Sequence, residues 1–136
     1  MTNYMLKYSK QIMEYQVKQV GRIHRDVLKI LNIDIKVDTP IYLGESNINH
    51  MKNKHLDVYE RYKDNIEEIL AVPDYIGLNN SNNSIEYVKK FNANNEFVKI
   101  AVRISMGEKY YVRTMYLLNS KRVFNFINKG CLKSLT

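Results

Sequence analysis

The 136 residues include one cysteine, Cys131, and no tryptophan. A lone cysteine excludes an internal disulfide and a zinc site built with cysteine partners. Its place near the C-terminus marks it as incidental rather than as a nucleophile. No apolar run approaches the ~20 residues that a bilayer-spanning helix needs, so no membrane partner is expected. Met1-Thr2-Asn3-Tyr4-Met5-Leu6-Lys7 lacks an uninterrupted apolar core, so no secretion signal is expected either. Acidic residues are also in short supply, 14 against 21 Lys+Arg, for a net charge of +7. That excess favours a polyanionic partner, nucleic acid or an acidic protein surface. Hydrophobic residues reach 45%, enough for one core. Eleven tyrosines can stack on bases or pack in that core.

Along the chain, Tyr4, Tyr8, Ile12 and Tyr15 fall at helical spacing and predict a helix over 4–19. It is read as an N-terminal extension, residues 1–20, ahead of one domain over 21–136. A second helix is expected over 26–31, and Pro40 precedes a short strand at 41–43. From Ser46, the residues Ile48, Met51, His55, Val58, Tyr62, Ile66 and Ile69 form one helical stripe. Asp64 can restart that helix after a bend, and Pro73 stops it. Strands follow at 74–78, 84–91, 96–105 and 109–118, with turns at 79–83, at 92–95 and at Met106-Gly107-Glu108. Ser120 is placed as the cap of a last helix, 120–129, closed by Gly130. The expected class is α+β: N-terminal helices, then a four-stranded antiparallel sheet and a C-terminal helix.

Segment 96–105 links sequence to geometry most sharply. Val98, Ile100, Val102 and Ile104 share one apolar face, which must cover the core. Phe97, Lys99, Ala101, Arg103 and Ser105 share the other. A solvated sheet face is the plain reading of that second side, and a binding surface is the functional one. A two-residue turn at Gly107-Glu108 would pair Ser105 with Tyr110 and Lys99 with Tyr116. It would place Arg103, Thr114 and Tyr116 on the same surface. One residue of slip, or a bulge, would bring Arg113 there instead. The first register is preferred, because it leaves Arg113 as the one charge to explain on the inner face.

His50 and His55 are five residues apart, roughly 140° around a straight helix, and no Glu follows His50. This excludes the pattern of a helical zinc protease. His55 lies in the apolar stripe, where a satisfied core histidine is the ordinary reading. His50 lies on the polar side, and His24 opens a helix. No helix-turn-helix pattern is evident.

The series Ile41-Tyr42-Leu43-Gly44, His50, Lys54-His55, Pro73-Asp74-Tyr75-Ile76-Gly77, Ser84-Ile85-Glu86-Tyr87-Val88-Lys89, Val98-Lys99-Ile100-Ala101-Val102-Arg103 and Arg113-Thr114-Met115-Tyr116 resembles the phage-associated barnase-like nuclease domains of the barnase–EndoU–colicin–RelE group. The resemblance spans about residues 20–130. It implies metal-independent RNA cleavage with no cofactor: the ribose 2′-OH attacks the adjacent phosphate and leaves a cyclic phosphate. The residues it implies for catalysis are His50 and His55 as base and acid, Arg103 as phosphorane clamp and Thr114 as a phosphate donor. Glu86 is an alternative base. For substrate binding it implies Lys89, Lys99, Ser105, Tyr110, Arg113 and Tyr116. The expected function is an endoribonuclease or RNase toxin of a phage or mobile element, acting on RNA in the cytoplasm of a bacterial or phage-infected cell. An acidic antitoxin or immunity protein would be the matching inhibitor. The alternative is a catalytically inactive nuclease-fold protein that binds RNA, DNA or a host defence protein.

Overall fold

Val98, Ile100 and Val102 are fully buried on one face of a strand, β5 (Glu96–Arg103), as their alternation requires. The computed structural model describes residues 17–105 and 109–135. Within them β5 is central to a sheet of seven strands. The others are β1 (Lys18–Arg22), β2 (Pro40–Leu43), β3 (Tyr75–Asn79), β4 (Ser84–Phe91), β6 (Tyr110–Leu118) and β7 (Lys133–Ser134). Their spatial order is β1-β2-β6-β5-β4-β3-β7. Neighbours are antiparallel except β2 and β6, which run parallel at Ile41↔Tyr110 and Tyr42↔Tyr111.

The class is α+β, but the expected four-stranded sheet is enlarged by β1, β2 and β7, and helices lie between strands instead of all preceding them. The additional strands have five, four and two residues, too short to show a period of two clearly. Lys18 and Gln19, expected to end a helix, open β1 instead. The earlier residues of that helix, 4–16, and the Met106-Gly107-Glu108 turn lie outside the described residues.

Helix α1 (Arg25–Leu31) ends at Asn32, whose left-handed backbone (φ 53, ψ 50) suits asparagine. Helix α2 (Glu45–Tyr62) is followed by a 3-10 turn (Lys63–Asn65) and α3 (Ile66–Ala71). These are the bent helix of the apolar stripe. The bend comes earlier than expected, at His55 (φ −144, ψ 56). Helix α4 (Ser120–Asn128) is capped by Asn119, not Ser120: the Asn119 side chain accepts the Arg122 N–H at 2.8 Å. Gly130, at φ +76, follows its end.

Residues of α1, α2 and α3 close over one sheet face, where Val27, Met51, Val58, Tyr62, Ile69 and Leu70 join Val98, Ile100 and Val102 in one cluster. A smaller cluster covers the opposite face at one end, with Val123 of α4 and Leu132 over Val88, Phe97 and Leu118. The second face of β5 is therefore not a solvated one: Phe97 and Ala101 are 6% exposed and Lys99 5%.

The C-terminal end of α2 is tied to the β4–β5 hairpin. Arg61 Nη1 and Nη2 donate to the two oxygens of Glu96 at 2.6 and 3.1 Å. Tyr62 Oη donates to Glu96 Oε1 at 2.6 Å and accepts from Asn94 at 3.2 Å. The Arg61 hydrogen bonds, then that of Tyr62, hold the Glu96 carboxyl below the usual carboxylate range. A folded-state value below the unfolded one stabilises at neutral pH, and the gain is lost as pH falls through the folded value. From about pH 5 downward, thermal melts should therefore show the wild type losing more stability than Glu96→Gln. Parallel loss in both proteins would dismiss the linkage.

Tyr87 offers a contrast. It is fully buried, and among the described residues its hydroxyl has no hydrogen-bond partner. Burial alone pushes its ionisation upward. Removing an unsatisfied buried hydroxyl recovers its desolvation cost, so Tyr87→Phe should stabilise by about 1 kcal/mol in urea unfolding. A loss of that size would mean that the hydroxyl has a partner.

Candidate active face

Strand register assigns the polar residues of the second sheet face. Glu86 pairs with Ala101 and Val88 with Lys99. Lys99 pairs in turn with Tyr116, and Ala101 with Thr114. The expected Lys99–Tyr116 pairing therefore holds at that end of the hairpin. Between Ala101 and Val102 the register shifts, so that Val112 faces Val102 and Tyr111 faces Arg103. Arg113 is the extra residue of this bulge and is exposed. The shift overturns the expected pairing of Ser105 with Tyr110. Tyr110 turns into the core at 7% exposure, where burial pushes its hydroxyl pKa up, and Tyr111 takes the place opposite Arg103. β5 ends at Arg103, which leaves Ser105 exposed beyond it.

One row of side chains crosses this face. Lys99 Nζ donates to Glu86 Oε2 at 2.7 Å, and Asn79 Nδ2 reaches the same oxygen at 3.5 Å. The Lys99 ammonium also lies 4.8 Å from the centre of the Tyr116 ring. The His55 ring is 5.6 Å from that ring, at an angle of 30°. The order is Glu86, Lys99, Tyr116, His55, with Thr114 and exposed Arg103 further along the same face. Side chains of Lys99 and Glu86 are only 7% and 16% exposed. Burying both charges costs several kcal/mol of solvation, which their attraction offsets only in good geometry. Such a pair is therefore weak evidence for a stabilising role.

Not every residue singled out from the sequence joins this row. His55, Arg103, Thr114, Lys99 and Tyr116 lie on it or beside it. Lys89 is on the opposite face of β4, paired with Val98; it donates to the Val72 carbonyl at 2.8 Å and approaches Glu68 at 4.0 Å. His50 is exposed on α2, one turn beyond Ser46. Glu86, the alternative base, pairs with Lys99 and stands at the head of the row.

The N-terminus of α2 borders the same face. Asn47 accepts the Gly44 N–H at 3.2 Å, which fixes the first turn. Gly44 to Asn47, with Arg103 and Tyr111, line a cleft of about 500 Å³. Tyr111 lies against Tyr42, with ring centres 6.0 Å apart, and Lys109 Nζ is 5.7 Å from the Tyr42 ring. Sequence reasoning passed over Tyr42, Lys109 and Tyr111. For Tyr42 a signal was present: apolar Ile41 and Leu43 on either side turn it away from the core. Among the described residues no three His, Cys, Asp or Glu side chains gather into a metal-binding cluster, and no helix is long and apolar enough to cross a membrane.

All these residues lie within 18–125, the stretch that matches a family model described as phage-Barnase-EndoU-ColicinE5/D-RelE like nuclease3. No curated protein and no solved structure matches the chain. The family match takes in the sheet from β1 to β6 and every residue of the row, and on it the chain belongs to this family of phage-associated nucleases.

Proposed function

We propose that the protein is a metal-independent endoribonuclease that works on the face bearing Glu86, Lys99, Tyr116 and His55. The observation that carries this reading is the row itself. Two groups able to move protons, Glu86 and His55, stand at the ends of a row that runs through Lys99 and Tyr116, on a face that also presents Arg103 and Thr114. Glu86 takes the proton of the ribose 2′-OH as that oxygen bonds to phosphorus. The bond from phosphorus to the 5′ oxygen breaks, and His55 protonates the leaving oxygen. Lys99 and Arg103 offset the charge that grows on the phosphorane, and the Thr114 hydroxyl donates to one of its oxygens. The products are a 2′,3′-cyclic phosphate and a 5′-OH. His55 is the better placed of the two histidines, since His50 touches no member of the row. The net charge of +7 suits an RNA backbone and would equally suit an acidic inhibitor protein.

Purified protein incubated with labelled RNA in EDTA should yield cyclic-phosphate ends. Glu86→Gln, His55→Ala and Arg103→Ala should each lower kcat/KM by about 100-fold or more while still melting cooperatively. His50→Ala should lose less than about tenfold, a change too small for a general acid or base. Absence of cleavage by folded wild type across varied RNAs would favour the inactive binding protein. The mutual satisfaction of Lys99 and Glu86 is also compatible with that second reading.

A further inference from the structure

Tyr42 and Tyr111 are Cα partners at the parallel junction of β2 and β6. Both are half-exposed, and neither belongs to a core cluster. Their rings touch at 41° and stand between two clefts. On one side is the cleft of about 500 Å³ with Arg103. On the other is one of about 910 Å³, lined by Lys109 and the loop of Lys36 to Pro40. Gly44 borders the Tyr111 ring: a Cβ there would lie in ordinary contact with it at 3.8 Å. Lys109 lies over Tyr42, and exposed Arg103, the cross-strand partner of Tyr111, lines the same cleft as that ring. Among the described residues neither cation forms an ion pair with a carboxylate. Half-exposed aromatic rings between unpaired cations are what a single nucleic-acid strand requires: ring faces for its bases and cations for its phosphates.

We propose that the Tyr42–Tyr111 ridge stacks an unpaired nucleobase next to the phosphate held at Arg103, so that the site takes single-stranded RNA and rejects the duplex. This rests on the ribonuclease reading for the identity of the ligand, but not on the chemistry. The bases of an A-form duplex are stacked on one another, and its deep major groove admits no side chain. A base can reach the ridge only where the strand is unpaired. The cross-strand pairing of Arg103 with Tyr111 sets the register: the base on the ridge is adjacent to the phosphate at Arg103.

The test uses a 2′-O-methyl oligonucleotide, which cannot be cleaved by 2′-OH attack, carrying 2-aminopurine at successive positions. Adding protein should quench the probe at one position in the single strand, by stacking on tyrosine, and the same sequence in a duplex should be neither bound tightly nor changed further in its fluorescence. Tyr42→Ala and Tyr111→Ala should bind about 10- to 100-fold more weakly and lose the quench, while Tyr42→Phe and Tyr111→Phe retain both. Binding without a position-specific quench, equal binding of duplex, or alanine variants that behave as wild type would overturn the platform. Those results would leave any cleavage that depends on Glu86 and Arg103 intact. Quench and tyrosine dependence in a protein that cleaves nothing would uphold the platform and overturn the ribonuclease reading instead. Failure of the wild type to bind any single strand would overturn the platform. Should an alanine variant not fold, the wild-type contrast between single strand and duplex still decides.

Discussion

One extra residue in β6 sets what the site contains. The bulge between Ala101 and Val102 absorbs Arg113 and reverses the side-chain alternation for the rest of the strand. On one side of it Thr114 and Tyr116 share a face with Ala101 and Lys99. On the other side Tyr111, and not Tyr110, comes to that face. Without the bulge Tyr110 would leave the core, where it is 7% exposed, and Tyr111 would enter it. The parallel pairing with β2 depends on the same shift, because Tyr42 meets Tyr111 and Ile41 meets Tyr110. An apolar partner thus faces the buried tyrosine, and an aromatic one faces the half-exposed tyrosine.

The Lys99–Glu86 pair is the second constraint, and it acts through position more than through stability. Lys99 lies between the apolar cluster around Phe97 and Leu118 and the polar stretch around Thr114 and Arg103. A lysine at the boundary of a buried patch has few ways to keep its charge. Here it has two, a carboxylate at 2.7 Å and a tyrosine ring at 4.8 Å. Removing either partner leaves a nearly buried cation poorly compensated, which is costly, whereas replacing the whole pair with apolar residues often is not. Retaining the charges forgoes that simpler apolar solution, and this is the physical case for a chemical role on the face.

Much of the fold was legible because its signals are local. Strand 84–91 and all of 96–103, within the expected 96–105, follow from alternation and Asn-rich turns, and α1 and α4 from apolar spacing. What was not legible is long-range. Nothing in four residues at 40–43 reveals a parallel partner some 70 positions on. A bulge leaves no mark in Tyr110-Tyr111-Val112-Arg113 either, because either tyrosine can face the core. Lys89 and Lys99 were alike as isolated lysines. Pairing places Lys89 opposite Val98, on the helix-covered face, and Lys99 opposite Val88 on the other. The histidines had the same ambiguity, since a straight helix would have left His55 in the apolar stripe.

The bend in α2 resolves that last ambiguity. The helix begins where β2 ends and packs along β6 beyond Tyr111, where among the described residues no strand pairs with that edge. Met51 before the bend and Val58 and Tyr62 after it are buried, so both halves hold the core. At His55 the backbone leaves helical geometry (φ −144, ψ 56), and the imidazole lies against Tyr116 while Leu56 is left 54% exposed. An unbroken helix would either bury an imidazole among apolar side chains or turn it away from the sheet, and neither outcome brings it to Tyr116. The Arg61–Glu96 clamp fixes the helix on one side of the bend and the Asn47–Gly44 bond on the other. The bend thus falls at the residue whose ring meets Tyr116, which is why His55 and not His50 joins the row.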